Sequence, residues 1–203
     1  EHLFVLDPAL APYRNFAQGI FHRLLVRLYL TLSYRLSDRV IALSDYARAK
    51  MQKIFPTARI EVILNGIDTV FFTPPAQPHA GTGKRKATLL FVGNPSPRKG
   101  ADLLPKVMSR LDTERFELRY TSGLKDTDPF RDVPGMRAIG RLDKLETREA
   151  YREADLLLFP SRLEGLPLVV MESLACGTPA IVSKSSSLPE MIDDGVNGYL
   201  ADV

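Results

Sequence analysis

The sequence has 203 residues, 45% of them hydrophobic and 25% charged, with a formal net charge of +3. A chain of this length can bury a core of its own, and so mild a basic excess does not imply a nucleic-acid partner. No run of about 18 apolar residues occurs, so no segment reads as a membrane span, and the single cysteine, Cys176, rules out an internal disulfide.

The first residues, EHLFVLDPAL, have neither the basic start and apolar core of a signal peptide nor an initiator Met. The expectation is a cytoplasmic chain that is a piece of something longer. Residues 16–36 follow, where Leu24, Leu25, Leu28, Leu32 and Leu36 recur at helical spacing and His22, Arg23, Arg27 and Arg35 interrupt them. Two placements fit: a basic amphipathic helix on the inner face of a membrane, or a helix packed on a sheet with its arginines in water. Apolar residues crowd most of the circumference, which favours the second.

Further along, apolar runs at 39–44, 60–64, 87–93, 116–121, 136–140, 154–160 and 179–183 alternate with helical patterns at 45–55, 101–111, 144–152, 167–175 and 187–193. The runs are unbroken more than alternating, as in strands covered on both faces. Strand and helix in series predict an α/β fold: a Rossmann-like parallel sheet with helices on both faces. The stretch TVFFTPPAQPHAGTGKRKAT at 69–88 is rich in Pro and Gly and reads as a linker, which places a boundary near residue 80 between domains 1–80 and 81–203. Cys176 has no His or cation close in sequence and reads as a small buried residue.

Ligands of open parallel sheets bind beyond the carboxyl ends of the strands, so the residues after each run carry the functional reading. After 87–93 comes NPSPRKGADLL, with Gly93 closing the strand, Arg98 and Lys99 in the turn and Gly100 opening the predicted helix. The Gly-Lys-Ser/Thr of a triphosphate-binding loop and the Gly-x-Gly-x-x-Gly fingerprint are both absent. Two cations beside a helix start favour a dianionic group, although on this loop alone a solvated turn with two surface cations is the preferred reading. After 136–140, Arg141 and Leu142 can cover a flat ring, or form an ordinary loop.

The most informative stretch is PSRLEGLPLVVMESLACGTPAIVS, where Glu164 and Glu172 flank a helix start. Pro167 suits the first helical position and leaves Leu166 as a cap without a side-chain acceptor. The N–H groups of Leu168 and Val169 then want an anion. Carboxylates accept strongly from hydroxyls, so a ligand with phosphate in the middle and hydroxyls at both ends fits: a nucleotide sugar, its hexose on Glu164 and its ribose on Glu172.

These residues resemble the C-terminal nucleotide-sugar domain of the group 1 retaining glycosyltransferases, which have the two-Rossmann GT-B fold. The resemblance rests on EGLPLVVME, the family's Glu-x7-Glu motif, followed by SLACGTPAIVS, and it extends through FVGNPSPRKGADLL, ADLLLFPSRLEG and LPEMIDDGVNGYL. DRVIALSDYARAKM and EVILNGIDTVFFTP resemble the end of the family's N-terminal domain and its exit into the linker. The resemblance implies transfer of a hexose from a donor such as a UDP- or GDP-hexose to a sugar or lipid-linked acceptor hydroxyl with retention. It implies neither metal nor cofactor, and work in cell-envelope polysaccharide or glycolipid synthesis. By position Lys99 is the phosphate lysine, Glu164 contacts the transferred sugar and Glu172 binds ribose. Gly165, Leu166 and Leu168 present backbone to sugar and phosphate, and Arg141 and Leu142 lie near the base.

Two departures stand out. Asn94 follows Gly93 where the family commonly has a phosphate arginine, a role Arg98 can fill. Most of the N-terminal domain and the final helix that crosses back to it are also missing, so the piece is expected to be inactive alone. A GT-B sugar-nucleotide epimerase or a non-catalytic nucleotide-sugar-binding domain is the alternative reading.

Overall fold

The computed structural model describes residues 16–21, 25–76, 86–122 and 128–203. They fall into two compact units, one made of the residues up to Asn65 with Leu163–Leu166, the other of Gly66–Arg162 and Pro167–Val203. The boundary expected near residue 80 falls in 77–85, outside the described residues.

In the first unit the elements are α1 (Phe16–Phe21), α2 (Arg27–Leu36), β1 (Val40–Ala42), α3 (Asp45–Ile54) and β2 (Ile60–Val62). β1 and β2 pair in parallel, Val40 opposite Ile60. α3 starts where Ser44 accepts from the Ala47 N–H at 3.1 Å, satisfying one donor that the first turn leaves open. Ala42, Ala47 and Met51 form its core, with Tyr34, Val40, Ile60 and Val62 packed around them. Tyr34 also stacks on Phe55, ring centroids 4.2 Å apart.

Residues 16–36 were expected to pack on a sheet, and within α2 they do so only in part, through Leu30 and Tyr34. In α2 only Leu30 is buried, while Leu28, Tyr29, Leu32 and Leu36 are all more than half exposed. Crowding apolar residues round a helix does not bury them when the unit offers them too little surface. Ile41 on β1 is similarly exposed, as are Ile63 and Leu64 just past β2. His22, Arg23 and Leu24 lie outside the described residues. No described helix is long and apolar enough to cross a membrane.

The second unit is a six-stranded sheet of β3 (Ala87–Phe91), β4 (Phe116–Tyr120), β5 (Met136–Ala138), β6 (Leu156–Phe159), β7 (Ala180–Ser183) and β8 (Gly198–Ala201), in the order β5-β4-β3-β6-β7-β8. Every pairing is parallel. Side chains alternate between two cores, as the pleat requires. Leu90, Leu157, Phe159 and Val182 join Tyr151, Val170 and Leu188 in one; Leu89, Phe91, Leu118 and Leu158 join Leu104 and Met108 in the other. The covering helices are α4 (Leu104–Met108), α5 (Lys144–Glu153) and α6 (Leu168–Ala175). α5 begins in a capping box between Asp143 and Glu146.

Two expected helices are cut short. The pattern at 101–111 becomes a 3-10 turn at Ala101–Leu103 and the five-residue α4. Pro105 has no N–H to give the Ala101 carbonyl, so a continuous ladder cannot pass it. The helix expected at 187–193 is a 3-10 turn, Leu188–Glu190, with Pro189 in it. β8 was not among the expected strands; it is a short edge strand whose Tyr199 is exposed.

Candidate functional site

The strand order places the site. From β3 the chain moves outward through β4 to β5, returns to lay β6 on the other side of β3, and continues outward through β7 and β8. β3 and β6 are therefore the switch point of the sheet, where the two connecting directions diverge and leave a crevice at the carboxyl ends. The loops that follow these two strands are the phosphate-loop candidate and the start of the double-glutamate segment.

These loops are bonded to each other. The Arg98 carbonyl accepts from the Arg162 N–H at 2.9 Å and from Ser161 Oγ at 3.2 Å. The Arg162 guanidinium grips Asp102 in a two-pronged pair, at 2.6 and 2.9 Å, and also donates to the Pro97 carbonyl. That fork geometry holds the Asp102 carboxyl below its usual range, the hydrogen bond being the main cause. Gly100, at φ +71°, brings the turn so close to β6 that a Cβ there would lie 2.0 Å from the Pro160 carbonyl oxygen. Ser183 and Ser185 hydroxyls both donate to the Ser161 carbonyl, Ser185 at 2.9 Å, which fastens the β6 end to the β7 end.

Lys99 closes a 3-10 turn, Pro97–Lys99, capped by Ser96. Its ammonium sits 5.0 Å from the centre of the Phe159 ring, at the end of β6. The cation thus stands at the switch point, but the helix dipole invoked for it is corrected: Arg98 and Lys99 end a three-residue turn instead of opening a long helix. Arg98 is half-buried beside it. Gly93 is held at both ends by Thr121, whose Oγ1 accepts from the Gly93 N–H at 2.8 Å and donates to its carbonyl at 2.7 Å. Thr121 escaped sequence reading because a threonine at a strand end carries no motif.

The start of α6 differs by one residue from expectation. Pro167 is the cap, with extended φ −74° and ψ 121°, and Leu168 is the first helical residue; Leu166 precedes the cap. Proline offers no side-chain acceptor either, so the consequence is unchanged. Val170 N–H reaches the Pro167 carbonyl at 3.3 Å, while the N–H groups of Leu168 and Val169 find no acceptor among the described residues. Glu164, Gly165 and Leu166 group with the first unit. There Glu164 is buried, at 9% exposure, and the Leu166 carbonyl accepts from Asn65 Nδ2 at 3.2 Å. Arg141 is exposed and Leu142 half-buried, after the edge strand β5, which β4 separates from β3.

Glu172 is half-buried on α6, and its Oε2 accepts from Tyr151 Oη at 3.0 Å. Burial raises its pKa, against the Tyr151 hydrogen bond and the Lys144 charge, which lower it. A carboxyl whose folded pKa is raised costs stability when ionised. That cost is absent below the unfolded pKa and grows as pH rises through the folded one. Glu172→Gln, which keeps an acceptor for Tyr151, is therefore expected to melt level with wild type at about pH 4 and above it at about pH 8; thermal unfolding at the two pH values checks the sign. Cys176, by contrast, is a buried core thiol whose pKa burial raises.

The family description Glycosyl transferases group 1 matches residues 86–203, and Glycosyltransferase Family 4 matches residues 7–71. A D-inositol 3-phosphate glycosyltransferase of Thermobifida fusca is 29% identical over 191 residues, covering 82% of this chain and 44% of the relative. One from Mycobacterium sp. (strain JLS) is 33% identical over 182 residues, covering 82% and 42%. The chain thus spans less than half the length of these curated relatives. Among solved structures, sucrose-phosphate synthase from Thermosynechococcus elongatus superposes with a TM-score of 0.77 at 20% identity, over 98% of this chain and 52% of that one. Anabaena Alr3699/HepE in complex with UDP and glucose gives 0.73 at 18%, over 97% and 56%. The parallel sheet, its bonded switch-point loops and these matches agree: the fold is that of the GT-B glycosyltransferases, and the chain belongs to the group 1 glycosyltransferases.

Proposed function

We propose that the chain carries the donor site of a retaining glycosyltransferase, which moves a hexose from a nucleoside diphosphate sugar to an acceptor hydroxyl in cell-envelope polysaccharide or glycolipid synthesis. The observation that carries this reading is the switch point: a lysine ammonium and two unbonded helix-start N–H groups follow neighbouring central strands, with a half-buried carboxylate further along the same helix.

In this reading Lys99 and the N–H groups of Leu168 and Val169 receive the diphosphate. As the bond to the sugar breaks, charge builds on the leaving phosphate, and donors already in place lower that barrier without reorganising. No metal is invoked for this charge. Glu172 accepts from the ribose hydroxyls, Glu164 contacts the hexose, and Arg141 with Leu142 lies toward the base. The nucleotide-bound HepE structure supports a nucleotide as ligand of this fold. Transfer also needs an acceptor held in line with the donor. The chain covers only 44% of its T. fusca relative, so we infer donor binding with little transfer from these residues by themselves.

Thermal-shift measurement with UDP, GDP, ADP and their hexose conjugates tests the proposal. A ligand at about 100 times its Kd adds about 2.7 kcal/mol of stability. One nucleotide series is expected to raise the melting temperature clearly. Absence of any shift across all three, at millimolar ligand, would reject the donor site.

A further inference from the structure

Tyr151 is fully buried in the core beside β6 and α6, where a phenylalanine would fill the same volume without a polar atom to accommodate. A buried hydroxyl is costly unless it is bonded, and among the described residues this one has a single partner, Glu172 Oε2, at 3.0 Å. The other oxygen, Oε1, has no hydrogen-bond partner among the described residues, and the side chain is half-exposed. One end of the carboxylate is tethered and the other is open.

The tether is itself anchored. The Tyr151 ring packs edge-on against Phe72, centroids 6.3 Å apart. Its carbonyl accepts from Thr178 Oγ1 at 2.6 Å. Thr178 in turn bonds Ser173, the neighbour of Glu172, through its N–H at 3.0 Å and its carbonyl at 2.9 Å. A closed circuit therefore runs from Tyr151 through Thr178 and Ser173 to Glu172 and back to the phenol. It joins α5 to α6 and restricts the flexible glutamate side chain, whose rotamer entropy would otherwise be lost when ligand binds.

We propose that Tyr151 is the positioning residue that orients Glu172 for the ribose hydroxyls of the donor, an inference that rests on the assignment of Glu172 to ribose. Tyr151 touches no ligand in this scheme. It holds Oε2 so that Oε1 faces outward, and it opposes the loss of charge that burial favours at Glu172.

The test compares two ligands on the 203-residue chain: whichever of UDP, GDP or ADP stabilises it, and the 2′,3′-dideoxy form of that nucleotide. Calorimetric Kd values are measured for wild type, Tyr151→Phe, Glu172→Gln and the double variant. Wild type is expected to prefer the ribonucleotide by about 10-fold or more, the scale of a hydrogen bond to a charged group. Tyr151→Phe should reduce that preference to about 3-fold or less while leaving the dideoxy Kd within about 2-fold. In the Glu172→Gln background the same change should have no further effect. If wild type shows no preference, or no nucleotide binds, the ribose assignment of Glu172 falls and the inference with it. If wild type discriminates and Tyr151→Phe discriminates as well, Tyr151 does not position Glu172. Equal weakening of both ligands by Tyr151→Phe would make the tyrosine a packing residue only.

Discussion

Gly100→Ala is expected to cost about 3–5 kcal/mol, a large part of the 5–15 kcal/mol that holds a domain folded. Two penalties add. At φ +71° the backbone is left-handed, which an L side chain tolerates at a cost of roughly 1–2 kcal/mol. The new methyl carbon would also stand 2.0 Å from the carbonyl oxygen of Pro160 and 2.7 Å from its carbon. Those are main-chain atoms at the end of the central strand β6, so no rotamer change relieves the contact. Either the turn carrying Lys99 lifts away or β6 shifts, and both break the bonds from Arg98 to Ser161 and Arg162. Urea unfolding should therefore show a much lower midpoint, and nucleotide binding should weaken with it. Gly93→Ala is the control: its φ of +145° is strained, but its Cβ meets nothing within 4 Å. If the two variants lose equal stability, the close approach to Pro160 is not what requires glycine.

Lys99→Ala should reverse that profile, with little effect on folding and a large one on binding. The ammonium of half-buried Lys99 lies 5.0 Å from the centre of the Phe159 ring, a contact worth about 0.5–2 kcal/mol. A charge-assisted bond to a diphosphate is worth about 1.5–3 kcal/mol. Affinity for the nucleoside diphosphate is expected to fall about 10- to 100-fold, and affinity for the matching nucleoside to stay the same. Raising the salt concentration should weaken wild type more than the variant, because part of the attraction is screened. Equal diphosphate affinity in the two proteins would remove Lys99 from the site.

The legible parts of this protein are those whose reason is local. Unbroken apolar runs identified β3 and β6 because both faces of those strands are buried, and a pattern of burial is written residue by residue. Glu164, Pro167 and Glu172 drew notice because a proline beside a helix start leaves donors open wherever it occurs. The parts that stayed hidden depend on distant partners. Nothing near Tyr151 in the chain announces that its hydroxyl ends on Glu172, 21 positions away. Thr121 meets Gly93 across a strand pairing, and Asn65 meets Leu166 across 101 positions. The exposed leucines of α2 failed in the opposite sense: periodicity reports which residues share a side, and not whether any surface lies opposite them. Pro105 was in plain view, and its effect on the 101–111 helix follows from one missing N–H.

The order of the six strands has a consequence for how such a domain can diversify. Growth proceeds from a middle pair toward two margins, β5 on one flank and β8 on the other. Changes at either margin leave the hinge of the architecture intact, because the middle pair is braced by its own loops. Arg141 and Leu142 follow the β5 margin, so under the proposed function substitutions there would retune which ligand is accepted and leave Lys99 and the start of α6 as they are.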